Sequence, residues 1–287
     1  MDINEHRRGV TSIILAAVIW STGGLFIKLL PFDALTILFY RSFCAALLFG
    51  LVYRKEILVV NRLSWAASAV YAGLLFCFVS ATKLTTAANA IFLQYTAPIY
   101  VLLLEPYLFK IRLERINLLT IFFCIGGMAL FFADNMQNDG MLGNGLALLS
   151  GIFLACFLLF QRLNDTKYYN SAIFWGNVGV IFIGLQAFLQ APIPTVPQAA
   201  MLGFLGFIQI GLGYLLFNYG LKRTLAIESA LLAMIEPILT PLWVWLGYGE
   251  QPSVNALIGG TIIIVSLAVR TIVTNKKPPQ PAGLNAG

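Results

Sequence analysis

Charge is scarce in this sequence. Asp, Glu, Lys and Arg together make up 10% of 287 residues, where an ordinary soluble domain carries roughly 25%. Histidine occurs once, as His6, and cysteine four times, at Cys44, Cys77, Cys124 and Cys156, with no CxxC pair. That spacing speaks against a metal or redox centre and leaves the cysteines as small packing residues. No GxxxxGK[ST] stretch is present, which removes direct ATP drive by this chain. A His–Asp–Glu cluster is also missing, and the loops are too short to hold one. Neither an enzyme nor a cofactor is expected. What remains is apolar: 59% of residues are hydrophobic, and the mean hydropathy is +0.85.

The apolar residues fall into ten runs, over 10–30, 33–53, 63–83, 86–109, 116–133, 143–161, 170–190, 198–219, 225–247 and 253–273. Most reach the roughly 20 residues that carry a helix across about 30 Å of hydrocarbon. Spanning segments satisfy their own backbone hydrogen bonds, so these runs predict helices and not strands. The first is too long for a removable signal peptide and is followed at once by a second. Residues 274–287, rich in Pro, Gly and Lys, predict a disordered tail.

Basic residues alternate with the runs. With the N-terminus in the cytoplasm, 15 of the 18 Lys and Arg residues fall on the cytoplasmic side. Lys28 and Lys83 lie near the outer side, and Arg41 lies within a helix. This is the positive-inside pattern. It predicts a multi-pass protein of the bacterial inner membrane with both termini cytoplasmic. The +6 charge is then a consequence of topology and not a nucleic-acid footprint.

The two halves of the chain are related. Residues 77–99 (CFVSATKLTTAANAIFLQYTAPI) align without a gap with 216–238 (LFNYGLKRTLAIESALLAMIEPI), placing Lys83 on Lys222, Thr85 on Thr224 and Pro98 on Pro237. More weakly, 20–30 aligns with 153–163. Five helices per half is an odd number, so the second half enters the membrane upside down. Inverted repeats of this kind are a device of secondary transporters, giving two nearly equivalent states open to opposite sides. The repeats are expected over 10–133 and 143–273.

The W-S-T-G-G-L-F-I-K run at 20–28, the Tyr40-Arg41 pair, the A-x-K-L-T-x-A-A series at 81–88 and the E-P at 236–237 resemble the drug/metabolite transporter superfamily, in particular its ten-helix EamA group. The resemblance implies an all-α membrane fold of ten helices. It also implies export of amino acids or related metabolites by alternating access around a midplane cavity. Efflux of lipophilic cations is the alternative. It is weakened because the first helix lacks the deep carboxylate that small multidrug relatives use.

Polar residues at membrane depth are costly and mark pathways or partners. Gln94 and Tyr95 precede Pro98, and Glu236 precedes Pro237. Each proline frees a carbonyl one turn back and bends its helix, and paired breaks point to a central site. Glu236 has two readings: it binds a substrate amine or carries a coupling proton, or it forms a structural ion pair with Arg41. The E-P pair recurs across the resembled family whatever the substrate, which favours a general role in architecture or gating for Glu236. Arg41, Pro98 and Pro237 are expected to be gating or structural residues. Arg41 could also hold a substrate carboxylate. Trp20, Tyr95, Tyr214 and Asn218 sit on helices that line the cavity in the resembled fold. With Gln94 and Glu236 they form the expected substrate-binding set. Lys28 is expected to snorkel outward, Glu228 to pair with Lys222 or Arg223, Glu105 with Lys110, and Trp243 to sit in an interfacial belt. A small-molecule solute, a coupling proton and lipid are the expected partners, for a monomer or weak homodimer.

Overall fold

A computed structural model describes residues 3–109, 114–133, 140–221, 223–224 and 226–275. The described residues form helices and no strands. We number ten helices: α1 (Ile3–Leu29), α2 (Ala34–Tyr53), α3 (Arg62–Leu84), α4 (Ala87–Gln94 and Ala97–Phe109), α5 (Arg115–Ala133), α6 (Met141–Leu163), α7 (Tyr169–Gln190), α8 (Val196–Leu221), α9 (Ala226–Ala233 and Ile235–Tyr248) and α10 (Val254–Asn275). Among the described residues, nine spans are long and apolar enough to cross a membrane, and α5 supplies a shorter apolar helix. The tail beyond Asn275, Lys110, Lys222 and the Glu105 side chain lie outside the description, so the expectations for them are not addressed.

Helix α1 starts well before the apolar run. Glu5 and Arg8 pair at 2.9 Å across one turn, an i,i+3 contact that supports a polar first turn. Asp33 starts α2 by accepting from the Leu35 and Thr36 amides, and Asn61 with Ser64 closes a capping box on α3. Gly249 ends α9 at φ 81°, a left-handed conformation in which a side chain would be strained.

Three helices are interrupted. Helix α1 breaks at Thr22, α4 at Tyr95 and Thr96, and α9 at Met234. The latter two breaks lie just before Pro98 and Pro237. In α8 the residues Phe204–Leu212 wind as a π-helix, an uncommon geometry that recurs at functional sites.

Helix α3 packs on α6 and α8 packs on α1; α2 packs on α7 and α8, α7 on α3, and α5 on α10. Small residues permit the closest approaches. The Trp20 indole lies over Gly213, and the Phe153 ring lies over Gly73. Gly143 abuts Thr85, and Gly9 abuts Thr224. A Cβ at Gly127 would meet the Gly259 carbonyl at 2.9 Å, so these glycines join α5 to α10 within the chain.

Polar contacts pin α6 to its neighbours at both ends, buried ones at the α3–α4 connection and part-buried ones at the start of α3. Asn144 Oδ1 accepts from Thr85 Oγ1 at 2.8 Å and from Asn89 Nδ2 at 3.1 Å. At the opposite end Asn61 and Asn164 exchange amide bonds of 2.9 and 3.2 Å.

Candidate transport site

The breaks in α4 and α9 face each other. Pro237 cannot donate to the carbonyl of Ala233, one turn before it. That freed oxygen lies 3.2 Å from the Tyr95 hydroxyl. The same hydroxyl donates to Glu236 Oε2 at 2.8 Å. Tyr95 and Glu236 are both only partly buried. On the α4 side, the Gln94 carbonyl that Pro98 leaves free faces Gly151 of α6, and Gln94 Oε1 is buried without a hydrogen-bond partner. One carboxylate, one phenol and the freed carbonyl of α9 thus meet where α4 and α9 cross, while the freed carbonyl of α4 turns to α6.

A second cluster joins α1 and α8. Trp20 meets Tyr214 edge-on, with ring centroids 5.3 Å apart, and Phe217 at 5.1 Å. Arg41 and Tyr214 are each within electrostatic reach of Glu236, which connects this cluster to the first. Asn218 is one turn further along α8 and faces the Tyr53 hydroxyl. Of the six expected binding residues, Tyr95 touches Glu236 and Trp20 touches Tyr214. Gln94 adjoins Tyr95 in the chain, and Asn218 stands apart.

Several expected partnerships are different in the structure. Arg41 makes no ion pair with Glu236. It is 4% exposed and donates Nη2 to Gln209 Oε1 at 2.8 Å, and Gln209 Nε2 donates to the Trp20 carbonyl at 3.3 Å. The π-helical stretch of α8 carries Gln209 and brings it against α1 and α2. Lys28 does not snorkel. Its ammonium meets Glu250 at 2.7 Å, with side chains 11% and 17% exposed, and also donates to the Thr85 carbonyl at 2.7 Å. Glu250 accepts from the Ala87 amide at 2.7 Å. Glu228 pairs with His6 at 3.3 Å, while Arg223 takes Glu5 at 2.8 Å. The Trp243 indole donates to Ser21 Oγ of α1 at 2.9 Å, so it faces the bundle and not an interfacial belt.

Sequence reasoning missed Gln209, Tyr71 and the Lys28–Glu250 pair. Gln209 had one available signal, an amide in the middle of a largely apolar run. The ion pair had none, since 222 residues separate its partners. Among the described residues no group of His, Cys, Asp and Glu could hold a metal.

The EamA-like transporter family model matches this chain twice, over residues 7–133 and 141–272. The chain belongs to that family. An Archaeoglobus fulgidus protein named as an uncharacterized transporter is 27% identical to this EamA-like transporter over 282 residues, covering 92% of this chain and 96% of the relative. A Helicobacter pylori protein of the same description is 29% identical over 255 residues, 83% of each chain. The biotin transporter of Escherichia coli K12 is 24% identical over 195 residues, 63% of each. A solved crystal structure matches with a TM-score of 0.65 at 18% identity, covering 96% of this chain and 100% of the other, and supports the fold.

Proposed function

We propose that this EamA-like transporter is a secondary exporter of small metabolites, amino acids or related compounds, in the bacterial inner membrane with both termini cytoplasmic. It works by alternating access around the junction of α4 and α9. The observation that carries the proposal is the Tyr95–Glu236 hydrogen bond across two proline-broken helices. Helix breaks at membrane depth expose backbone groups and leave them for a solute or an ion.

The halves act as inverted repeats over residues 10–133 and 143–273. Exchanging the halves (α1 for α6, α2 for α7, and so on) leaves the packing scheme unchanged. Individual contacts support the same relation. Trp20 on Gly213 mirrors Phe153 on Gly73, and Gly9 against Thr224 mirrors Gly143 against Thr85.

Glu236 carries the coupling proton. The Tyr95 hydroxyl has one hydrogen and faces two acceptors, Glu236 Oε2 and the Ala233 carbonyl. When Glu236 is ionised, the two share that hydrogen. When Glu236 is protonated, its carboxyl donates to Tyr95 Oη and Tyr95 donates to Ala233, so every acceptor has its own donor. Each protonation state of Glu236 therefore has its own hydrogen-bond arrangement.

Trp20, Tyr214 and Phe217 form an aromatic wall beside this junction, which suits a solute with an apolar or aromatic body. The relative named as a biotin transporter extends the candidates beyond amino acids. The test is counterflow in proteoliposomes with labelled amino acids, biotin and organic cations. Saturable counterflow of an amino acid or biotin is expected. Flux of organic cations alone, tied to a pH gradient, would favour drug efflux instead.

A further inference from the structure

Arg41 is a buried cation that makes no direct ion pair. Its Nε and Nη1 atoms have no hydrogen-bond partner, and Nη2 bonds a neutral amide, Gln209. A guanidinium stays protonated in proteins, and a buried charge with donors left unpaired is a costly arrangement for a fold to hold. The surroundings are also unsatisfied. Tyr71 is fully buried and its hydroxyl has no partner, and the same is true of Asn177 and its Oδ1. The Tyr71 hydroxyl faces Tyr214 and Asn177. The Tyr71 and Tyr214 ring centroids lie 6.3 Å apart. Donors of two kinds, an N–H fork and a phenol, therefore stand idle in one enclosed place between α2, α3, α7 and α8.

We propose that Arg41 and Tyr71 form a subsite for the carboxylate of the transported solute. This deepens the reading of the chain as a metabolite transporter and rests on it for the word transported. A carboxylate brings one negative charge and two acceptor oxygens, which matches one guanidinium plus one phenol. A phosphate brings more charge than one guanidinium neutralises, and the nearby Glu236 would repel the excess. Gln209 has a definite part in this. As an amide it fixes the guanidinium through Oε1 and anchors to the Trp20 carbonyl through Nε2 without neutralising the charge. A glutamate there would fill the site permanently. Trp20, beside Tyr214, then places the aromatic wall next to the charged anchor.

The experiment is thermal unfolding of the purified full-length protein in detergent, titrated with benzoate and with its uncharged isostere benzamide. Chloride and phosphate at matched ionic strength distinguish a carboxylate site from a general anion site. Benzoate should raise the melting temperature saturably, and benzamide, chloride and phosphate should not. Tyr71→Phe should weaken benzoate about tenfold, the usual effect of losing one hydrogen bond to a charged group. Gln209→Glu should melt higher than the native protein and no longer respond to benzoate. Because that variant is expected to gain stability, misfolding cannot imitate the result. Equal shifts with benzamide or chloride would overturn the proposal, as would undiminished benzoate binding in both variants. Binding is read without flux, so a negative counterflow assay would remove the transport reading and leave this site intact.

Discussion

At one end of the bundle Lys28 and Glu250 meet at 2.7 Å, 11% and 17% exposed, and each also bonds a backbone group of the α3–α4 connection. At the other end Arg223 meets Glu5 and His6 meets Glu228, with side chains 29% to 39% exposed. Both sets tie α1 to the second half of the chain, but they hold with different strength. Removing one partner of a buried pair strands a charge and costs about 3–5 kcal/mol, whereas exposed pairs contribute about 0–1 kcal/mol and are screened by salt. In the orientation proposed above, the buried pair lies at the outer end and the exposed pairs at the cytoplasmic end.

The largest expected effect is at the firm end. Glu250→Gln should destabilise the protein by about 3 kcal/mol, seen as a lower melting temperature in detergent. The double change Lys28→Met with Glu250→Leu should recover most of that loss, since apolar replacement of a whole buried pair is often neutral. A single variant as stable as the native protein would end the comparison. Next comes Asn144→Ala, which leaves Thr85 and Asn89 without their acceptor beside the same clamp. A loss of about 2 kcal/mol is expected. Tyr95→Phe should cost about 1 kcal/mol in stability but impair transport far more, and a transport rate unchanged in folded protein would remove Tyr95 from the site. The smallest effect is at the light end. Arg223→Gln should leave the melting temperature unchanged in 1 M salt, where the native pair is screened as well.

Much of the fold was legible because bilayer length and apolar composition leave few alternatives. The breaks before Pro98 and Pro237 were legible for a local reason, since a missing amide proton acts within one turn of its own helix. Partners were not legible. Arg41 and Glu236 looked matched because opposite charges at membrane depth attract, yet Arg41 bonds Gln209, which the π-helical turn of α8 delivers to it. Lys28 looked like a snorkelling residue because nothing within its own helix contradicts that. Its partner arrives from the α9–α10 connection, and only tertiary packing brings the two together. Tyr71 gave no signal in its apolar run, because one aromatic residue there reads as core.

The most direct test compares native protein and Glu236→Gln in proteoliposomes, measuring solute exchange at equal pH and accumulation under a pH gradient in the same preparation. The account predicts that the variant keeps exchange and loses gradient-driven accumulation, because the substituted amide preserves the shape of the site but cannot give up a proton. Undiminished accumulation by Glu236→Gln would contradict it and return Glu236 to a purely structural part.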